Sequence, residues 1–343
     1  MNHRNINVLT TVALVGALVA ASSGPSRAGQ ASSVAYTLAP VPYGMQLKTP
    51  DGRVVFDYMT KKPPMAEVPL TSPSVACFHP VLTPSGERVT AIAPDDHPHH
   101  RGIYLAWHDS EFRTPIDRTK PVPYAPPFGW GITTADFWGW GEYAPRDNRI
   151  IQTNAVTLAS ATGQHAQIDI RNDWMVGKRK MLEESTVTRV SERDGVFVHD
   201  FTFTLTPVVD YVLHKQSFSG FNFQGRKDGE SYFTNSAGTV QLPNPHYSVP
   251  ELNWPPASWY GYVVKVPNGK VVGAAVIDHP SNPPSTWHNS RNLWMVNPVI
   301  AALGPMTIRG GAPLTLRYRV VVHDGPTPTP VVEKLAAEFR TTK

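Results

Sequence analysis

The stretch from Asp95 to His108 holds the densest group of residues that could carry chemistry. Its candidate side chains are His97, His99, His100, Arg101 and His108. Imidazole suits proton transfer near neutral pH and is also a common metal ligand. An arginine beside it can bind a carboxylate through two contacts or stabilise developing negative charge. We expect His99 or His100 to act as general acid or base; the alternative is loop histidines that cap backbone groups around Pro98.

A second segment repeats this pattern further along the chain. Asp278–Pro283 begins with the same Asp-His-Pro order as Asp96–Pro98, and Thr286-Trp287-His288 follows it. We expect His288 to take part in catalysis and His279, Asn282 and Trp287 to bind substrate. The alternative is that these prolines and asparagines only shape tight turns.

Between the two segments, glycine alternates with tryptophan in Ala135–Glu142. Trp138 and Trp140 would present flat indole faces on which a sugar ring can stack, and we expect Trp107, His97 and His108 to contribute to the same surface. Glu142 is the candidate catalytic carboxylate, and Asp136 is a second acidic candidate. Core packing is the alternative role for these tryptophans.

The elements that must position these residues are mostly strands. Alternating apolar and polar residues, separated by hairpin turns such as Arg193-Asp194-Gly195, indicate strands. The predicted strands are Arg149–Ser160, Gln164–Trp174, Glu184–Ser191, Val196–Leu205, Ser258–Val266, Lys270–Ile277 and Leu314–Val322. The spacing of Val332, Leu335, Ala336 and Phe339 predicts one C-terminal helix, with Thr329 as its N-cap. The fold is therefore expected to be all-β, an antiparallel β-sandwich or supersandwich with a short C-terminal helix.

Three segments depart from this alternation and are expected to be long irregular loops. They are Asp95–Gly141, Leu242–Pro256 and His279–Pro298, all rich in proline and aromatic residues. Loops of this length in a compact β domain commonly build functional sites. We therefore expect residues 29–343 to form a single β-sandwich domain whose loops form the site.

The N-terminus has the pattern of a secretory signal peptide. Arg4 precedes an apolar run over Val8–Ala21, and Ser26-Arg27-Ala28 offers a small-x-small cleavage site. We expect residues 1–28 to be removed and the protein to be periplasmic or secreted. No later run reaches the roughly 18 apolar residues of a membrane span, so no membrane span is expected.

Composition and motifs exclude several other classes of function. The net charge of +4 is spread along the chain without a basic stripe, so nucleic-acid binding is not expected. Cys77 is the single cysteine, which excludes an internal disulfide. A glycine-rich phosphate loop, a Gly-x-Ser-x-Gly elbow and a His-Glu-x-x-His motif are all missing. No cofactor is predicted, and a divalent metal is the alternative.

Several of these motifs together resemble a bacterial family of secreted proteins of unknown function, whose members often carry the label "methane oxygenase PmoA". The motifs are Asp96–Gly102, Asp136–Gly139, Asp278–Pro283, Thr286–His288, Leu316–Val320 and His323–Gly325. The resemblance runs from about Tyr43 to the C-terminus. It implies proteins that sit among carbohydrate-utilisation functions. It also implies a fold similar to the galactose-mutarotase-like supersandwich, in which histidines and an acidic residue line a sugar cleft. Glu142 and Asp278 are both candidates for that acidic residue.

Taken together, these features favour an extracytoplasmic carbohydrate-active enzyme acting on a saccharide or glycoside. His99 or His100 would transfer a proton, Arg101 would steady an anionic group, and Glu142 or His288 would supply the complementary proton. Lyase, hydrolase and epimerase chemistry all need such an acid and base. One alternative is a copper- or zinc-dependent enzyme with ligands from His97, His99, His108 and His279. Another is a non-catalytic glycan-binding protein.

Overall fold

The computed structural model describes residues 34–115, 130–139 and 149–342. The described residues from Val34 onward belong to one compact unit. The proposed signal peptide lies outside the described residues. Among the described residues, the structure contains no helix with the length and apolar character that a membrane crossing requires.

The described residues form 22 strands, one short 3₁₀ helix at Pro250–Leu252 and one α-helix, α1, at Thr329–Phe339. The strands are β1 (Thr37–Val41), β2 (Gly44–Lys48), β3 (Val54–Met59), β4 (Cys77–Val81), β5 (Ile103–Ala106), β6 (Ser110–Pro115), β7 (Trp130–Ala135), β8 (Arg149–Ala161), β9 (His165–Val176), β10 (Arg179–Arg193), β11 (Val196–Pro207), β12 (Asp210–Leu213), β13 (Gly220–Gln224), β14 (Glu230–Asn235), β15 (Gly238–Thr239), β16 (Trp259–Lys265), β17 (Val271–Asp278), β18 (Thr286–Trp287), β19 (Met295–Val296), β20 (Pro298–Val299), β21 (Met306–Ile308) and β22 (Leu314–Asp324).

Two large antiparallel sheets dominate the described part of the chain. One has seven strands in the order β1-β2-β3-β4-β5-β13-β19, and the other has nine in the order β15-β14-β16-β17-β22-β11-β10-β9-β8. Consecutive hairpins build much of the larger sheet, since β8 pairs with β9, β9 with β10 and β10 with β11. A four-stranded sheet, β21-β12-β6-β7, and the short pair β18-β20 complete the strands.

The two large sheets pack face to face over an aromatic core. Alternation in β11 directs Phe201 and Phe203 to the inner face, and both are buried. The ring centroid of Phe201 lies 5.0 Å from that of Phe78 on β4 in the opposite sheet. Phe221 on β13 likewise stacks on Tyr318 of β22 at 4.2 Å. The predicted antiparallel β-sandwich is confirmed.

The predicted C-terminal helix is also confirmed, and it covers the outer face of the nine-stranded sheet. Its apolar residues Val332, Leu335, Ala336 and Phe339 are all buried, in one cluster with strand residues such as Val198. The predicted cap is wrong, because Thr329 is the first helical residue. Pro328 occupies the N-cap position, where no side chain caps the helix.

The expected irregular segment Asp95–Gly141 is interrupted by three strands, β5, β6 and β7. All four residues of β5, Ile103–Ala106, are buried. A strand covered on both faces has a continuous apolar run and shows no alternation, so the periodicity did not reveal it. In the seven-stranded sheet β5 lies between β4 and β13, which places the histidine-rich loop directly before a rigid buried strand.

Candidate functional site

A small pocket gathers residues from loops that are far apart in the sequence. It is lined by His97, His99, His100, Trp138, Phe218, Tyr247, His288, Leu293 and Met295. The space open to the centres of water-sized groups is ≈ 30 Å³. Because a single water needs roughly 10–15 Å³ on this measure, the pocket admits about two such groups. Four histidines predicted for the site therefore meet here, three from the first segment and His288 from the second.

The loop that carries three of these histidines is tightly folded. The backbone N–H of His97 bonds to the carbonyl of Pro94 at 2.9 Å, and that of His100 bonds to the carbonyl of His97 at 2.9 Å. These turns bring the imidazole rings together. The ring centroids of His99 and His100 are 4.5 Å apart, and His97 lies 5.6 Å from His99 and 5.1 Å from His100.

Arg101 holds this loop in place from below. Its guanidinium is fully buried and donates to the backbone carbonyls of His99 and Trp138, each at 3.3 Å. A third bond reaches the carbonyl of Phe137 at 3.4 Å, and the charge lies 4.1 Å from the centre of the Tyr104 ring. Arg101 does not line the pocket. Its observed contacts hold the loop of His97–His100 against Phe137 and Trp138. The role predicted for Arg101 from the sequence was contact with an anion.

His100 is held in one tautomer by Gln224. The Gln224 amide nitrogen donates to the carbonyl of Leu293 at 2.7 Å, so its oxygen faces Nδ1 of His100 at 2.8 Å. An amide oxygen only accepts, so Nδ1 of His100 carries the proton. Burial lowers the pKa of His100 to about 3, and the ring is therefore neutral near pH 7. Its Nε2 then has a lone pair that can accept a proton.

Two polar atoms of pocket-lining residues lack a hydrogen-bond partner among the described residues. They are Nε2 of His99 and Nε1 of Trp138, and both are buried. Burial, followed by the nearby His100 and His97, lowers the pKa of His99 well below its ordinary value. Leaving a buried polar group unpaired costs roughly 1–3 kcal/mol. Groups in this state next to a pocket are typical of a site that a ligand completes.

His288 reaches the same pocket from the second segment. The amide nitrogen of Asn253 donates to the carbonyl of Ser217 at 2.7 Å, which turns its oxygen toward Nδ1 of His288 at 2.9 Å. Burial lowers the pKa of His288 to about 3, and a backbone hydrogen bond to Ser217 opposes this only in part. His288 is thus a second neutral, oriented imidazole.

His108 and Asp136 form an imidazole–carboxylate pair behind Phe218. Nδ1 of His108 lies 2.7 Å from Oδ2 of Asp136, whose other oxygen accepts the backbone N–H of Gly139 at 2.8 Å. The His108 ring stacks on the ring of Phe218 with centroids 5.4 Å apart. A carboxylate can only accept, so Nδ1 of His108 is the donor in this pair. Asp136, named only as an acidic candidate from the sequence, thus orients a histidine.

The remaining predicted residues do not line the pocket. The ring of His279 packs against Phe339 of α1 at 4.9 Å. Asn282 binds Asp278 and the backbone of Arg317 and so shapes its own turn. Trp107 and Trp287 are buried in the core. Glu142 and Trp140 lie outside the described residues.

The four histidines proposed as metal ligands are not brought together. His97 and His99 lie at the pocket, whereas His279 lies against the C-terminal helix. Within residues 34–115, 130–139 and 149–342, no three His, Cys, Asp or Glu side chains are placed to hold a metal ion. The donor set proposed from the sequence therefore does not fit one metal centre.

Backbone strain concentrates around the pocket. Among the described residues, five non-glycine residues have positive φ: Ala93, Asp109, Asp194, Ser219 and Trp294. Asp194 lies in a hairpin turn, but the others adjoin site residues; Asp109 follows His108, and Ser219 follows Phe218. Strained backbone is commonly kept where it positions functional groups.

Sequence reasoning missed four residues that matter to this site. Tyr247 and Asn253 belong to Leu242–Pro256, which was expected to be a site-forming loop, and that expectation was the signal that could have predicted its aromatic and amide side chains as site residues. Phe218 lies just before β13, and Gln224 is the last residue of that strand, in which every residue is buried. A buried strand shows no pattern that separates site residues from core residues.

A family model described as "Family of unknown function (DUF6807)" matches residues 48–337. The chain belongs to this family. No curated protein matches the chain. Among solved structures, it is similar to a galactose mutarotase related enzyme from Lactobacillus acidophilus, with 8% identity, a TM-score of 0.34 and coverage of 85% of this chain and 98% of that one. It is also similar to a putative aldose 1-epimerase from Klebsiella pneumoniae subsp. pneumoniae MGH 78578, with 13% identity, a TM-score of 0.27 and coverage of 51% and 56%.

Proposed function

We propose that this DUF6807 protein is an extracytoplasmic carbohydrate-active enzyme that uses histidines as general acids and bases. The observation that carries the proposal is the convergence of His99, His100 and His288 on one small pocket. Burial keeps all three rings neutral near pH 7, so each can accept a proton or bind a hydroxyl group. Sugars present many hydroxyl groups within a short distance, which matches a ring of oriented imidazoles.

The described lining of the pocket favours proton transfer over hydrolysis. Glycosidases commonly place two carboxyl groups on either side of the bond that they break. The described residues that line this pocket include no Asp or Glu. Epimerisation or elimination, in which one base removes a proton and a second group returns or redirects it, fits neutral histidines better. Glu142 stays the proposed carboxylic acid of the site on sequence grounds.

Within this proposal the roles follow from the hydrogen bonds. Gln224 fixes the Nδ1 proton of His100, so Nε2 of His100 is the proposed proton acceptor. His99, whose Nε2 lacks a partner among the described residues, is proposed to bind the hydroxyl group next to the reacting carbon. His288 would donate a proton taken from solvent water while His100 accepts one from the substrate, and His100 would then release its proton to water, so that each turnover leaves both rings neutral. Secretion through residues 1–28 remains part of the proposal.

Incubation with a panel of monosaccharides, glycosides and oligosaccharides tests the proposal. Mass spectrometry separates a gain of water from a cleavage by elimination, and NMR of the products detects epimers that have unchanged mass. We expect His99→Gln, His100→Gln and His288→Gln each to lower turnover by roughly 10²- to 10⁴-fold. His165→Gln is the matched control, because His165 is exposed at the start of β9.

The proposal fails if no member of the panel is converted. It also fails if His99→Gln and His288→Gln turn over the converted sugar as fast as His165→Gln does. Circular dichroism of each variant confirms that the fold is retained before the rates are compared.

A further inference from the structure

Gln224 fixes the direction in which His100 presents its two ring nitrogens. The Gln224 amide nitrogen donates to the carbonyls of Leu293 at 2.7 Å and Gly225 at 3.2 Å. A flipped amide would set its oxygen against both carbonyl oxygens, so the nitrogen keeps these bonds and the oxygen faces Nδ1 of His100 at 2.8 Å. His100 therefore carries its proton on Nδ1, and its Nε2 is a hydrogen-bond acceptor.

Asn253 orients His288 in the same way, from a different segment of the chain. The Asn253 amide nitrogen donates to the carbonyl of Ser217 at 2.7 Å and to the hydroxyl of Thr286 at 3.1 Å. Its oxygen therefore faces Nδ1 of His288, at 2.9 Å, which leaves Nε2 of His288 as an acceptor. An amide carries no charge, so unlike a carboxylate it does not favour a second proton on the ring. Two neutral imidazoles thus present acceptors to one pocket.

The pocket has room for about two water-sized groups, since ≈ 30 Å³ is open to their centres. Two acceptors in its wall call for two donors on whatever enters. Trp138, which also lines the pocket, has an indole N–H that lacks a partner among the described residues and can only donate. A hydroxyl group can satisfy both kinds of partner, because it donates and accepts. A carboxylate, a phosphate oxygen or a carbonyl only accepts, and an ammonium group only donates.

We propose that the pocket takes a free vicinal diol, with one hydroxyl group donating to Nε2 of His100 and the other to Nε2 of His288. Two hydroxyl groups that share so small a space must be carried by neighbouring carbon atoms. The inference rests on the proposed function and adds the chemical class of the substrate, a sugar with two unsubstituted hydroxyl groups side by side. An acyl, phosphoryl or glycosyl group on either oxygen removes a donor and exceeds the space.

The test measures Kd for the methyl glycosides of glucose, galactose, mannose and xylose, with sorbitol as an acyclic source of the same diol. For each glycoside that binds, every ring hydroxyl group is replaced in turn by hydrogen and by fluorine. Fluorine is close to a hydroxyl group in size but has no hydrogen to donate. We expect both replacements to weaken binding roughly tenfold or more at two neighbouring carbons, and by less than about threefold elsewhere.

Two variants assign each hydroxyl group to its histidine. In His100→Ala, replacing one of the two critical hydroxyl groups should no longer weaken binding, whereas replacing the other still should. His288→Ala should give the converse pattern. His165→Ala is the control, because His165 is exposed at the start of β9 and does not line the pocket. If a variant fails to fold, the analogue series on the wild type decides the question alone.

The outcomes separate this inference from the proposed function. Fluorinated analogues that bind as tightly as the parent glycoside at every position overturn the diol and leave the acid–base chemistry standing. Critical hydroxyl groups on carbons that are not neighbours also overturn it. Binding of sorbitol alone supports the diol and removes a ring sugar as the substrate. Failure of every glycoside and of sorbitol to bind overturns the inference, while the conversion panel still decides the proposed function.

Discussion

Replacing Asp136 with asparagine should reverse the tautomer of His108. In the wild type, the Asp136 carboxylate accepts the Nδ1 proton at 2.7 Å and the backbone N–H of Gly139 at 2.8 Å. An asparagine in the same place has one oxygen and one amide nitrogen. Because the Gly139 N–H can only donate, the oxygen must face Gly139 and the nitrogen must face His108. Nδ1 of His108 then becomes the acceptor, and the proton moves to Nε2.

The size of the effect follows from the buried partners. Keeping the original tautomer would require the reversed amide, which loses the bond to Gly139, worth about 1 kcal/mol, and leaves buried N–H groups unpaired, at about 1–3 kcal/mol. The switched tautomer is therefore favoured by roughly 2–4 kcal/mol, which is on the order of 30-fold or more.

Long-range ¹⁵N–¹H correlation spectra of the histidine side chains report the tautomer directly, without any substrate. We expect a protonated Nδ1 in the wild type and a protonated Nε2 in Asp136→Asn. Asp169→Asn is the matched control, because Asp169 on β9 accepts a hydrogen bond from the side chain of Gln167 and does not line the pocket. A protonated Nδ1 in Asp136→Asn would refute the reasoning.

Three further predictions concern stability and metal content. His199 is buried with neither ring nitrogen bonded to another described residue, and burial lowers its pKa to about 3. His199→Leu should raise the free energy of unfolding by about 1–3 kcal/mol at pH 8, because it removes two unpaired buried nitrogens. As the pH falls below about 6.5, the imidazole of His199 binds a proton in the unfolded chain but not in the folded protein, which destabilises the wild type. The gain from His199→Leu should therefore be about 1.4 kcal/mol larger at pH 5.5. Urea titrations at both pH values measure this, and an equal gain at both contradicts the linkage. Phe339→Ala should lower the free energy of unfolding, measured in urea, by about 3–5 kcal/mol, because the Phe339 ring is buried between the helix and the sheet. The control is Glu338→Ala, which removes only a half-exposed ion pair with Arg193 and should lower it by less than about 1 kcal/mol. Similar losses for both variants would contradict this packing. Protein purified without chelators should contain less than one zinc or copper per chain and keep its activity in EDTA, because His279 does not join His97 and His99; a stoichiometric metal would contradict this.

Much of the fold was predictable because strand patterns are local. Apolar and polar residues alternate along Val196–Leu205, and a glycine turn precedes it, so the hairpin of β10 and β11 follows from neighbouring residues alone. The same holds for the buried stripe of the C-terminal helix. Strand β5 escaped prediction because it is buried on both faces, and that burial depends on strands from elsewhere in the chain.

The sequence by itself determined which residue types are available for chemistry, above all the clustered histidines from His97 to His108. Only the tertiary structure decided which of them share a pocket. His288 meets His99 because loops from separate strands converge there, whereas His279, only nine positions earlier in the chain, packs under the helix. The burial of Arg101 is likewise a tertiary property, since the terminal nitrogens of its guanidinium bond to backbone carbonyls and to the Ser72 hydroxyl, most of which lie far from it in the sequence and beside it in the folded chain. Side-chain chemistry is local, but burial and neighbours are set by how the sheets and loops pack.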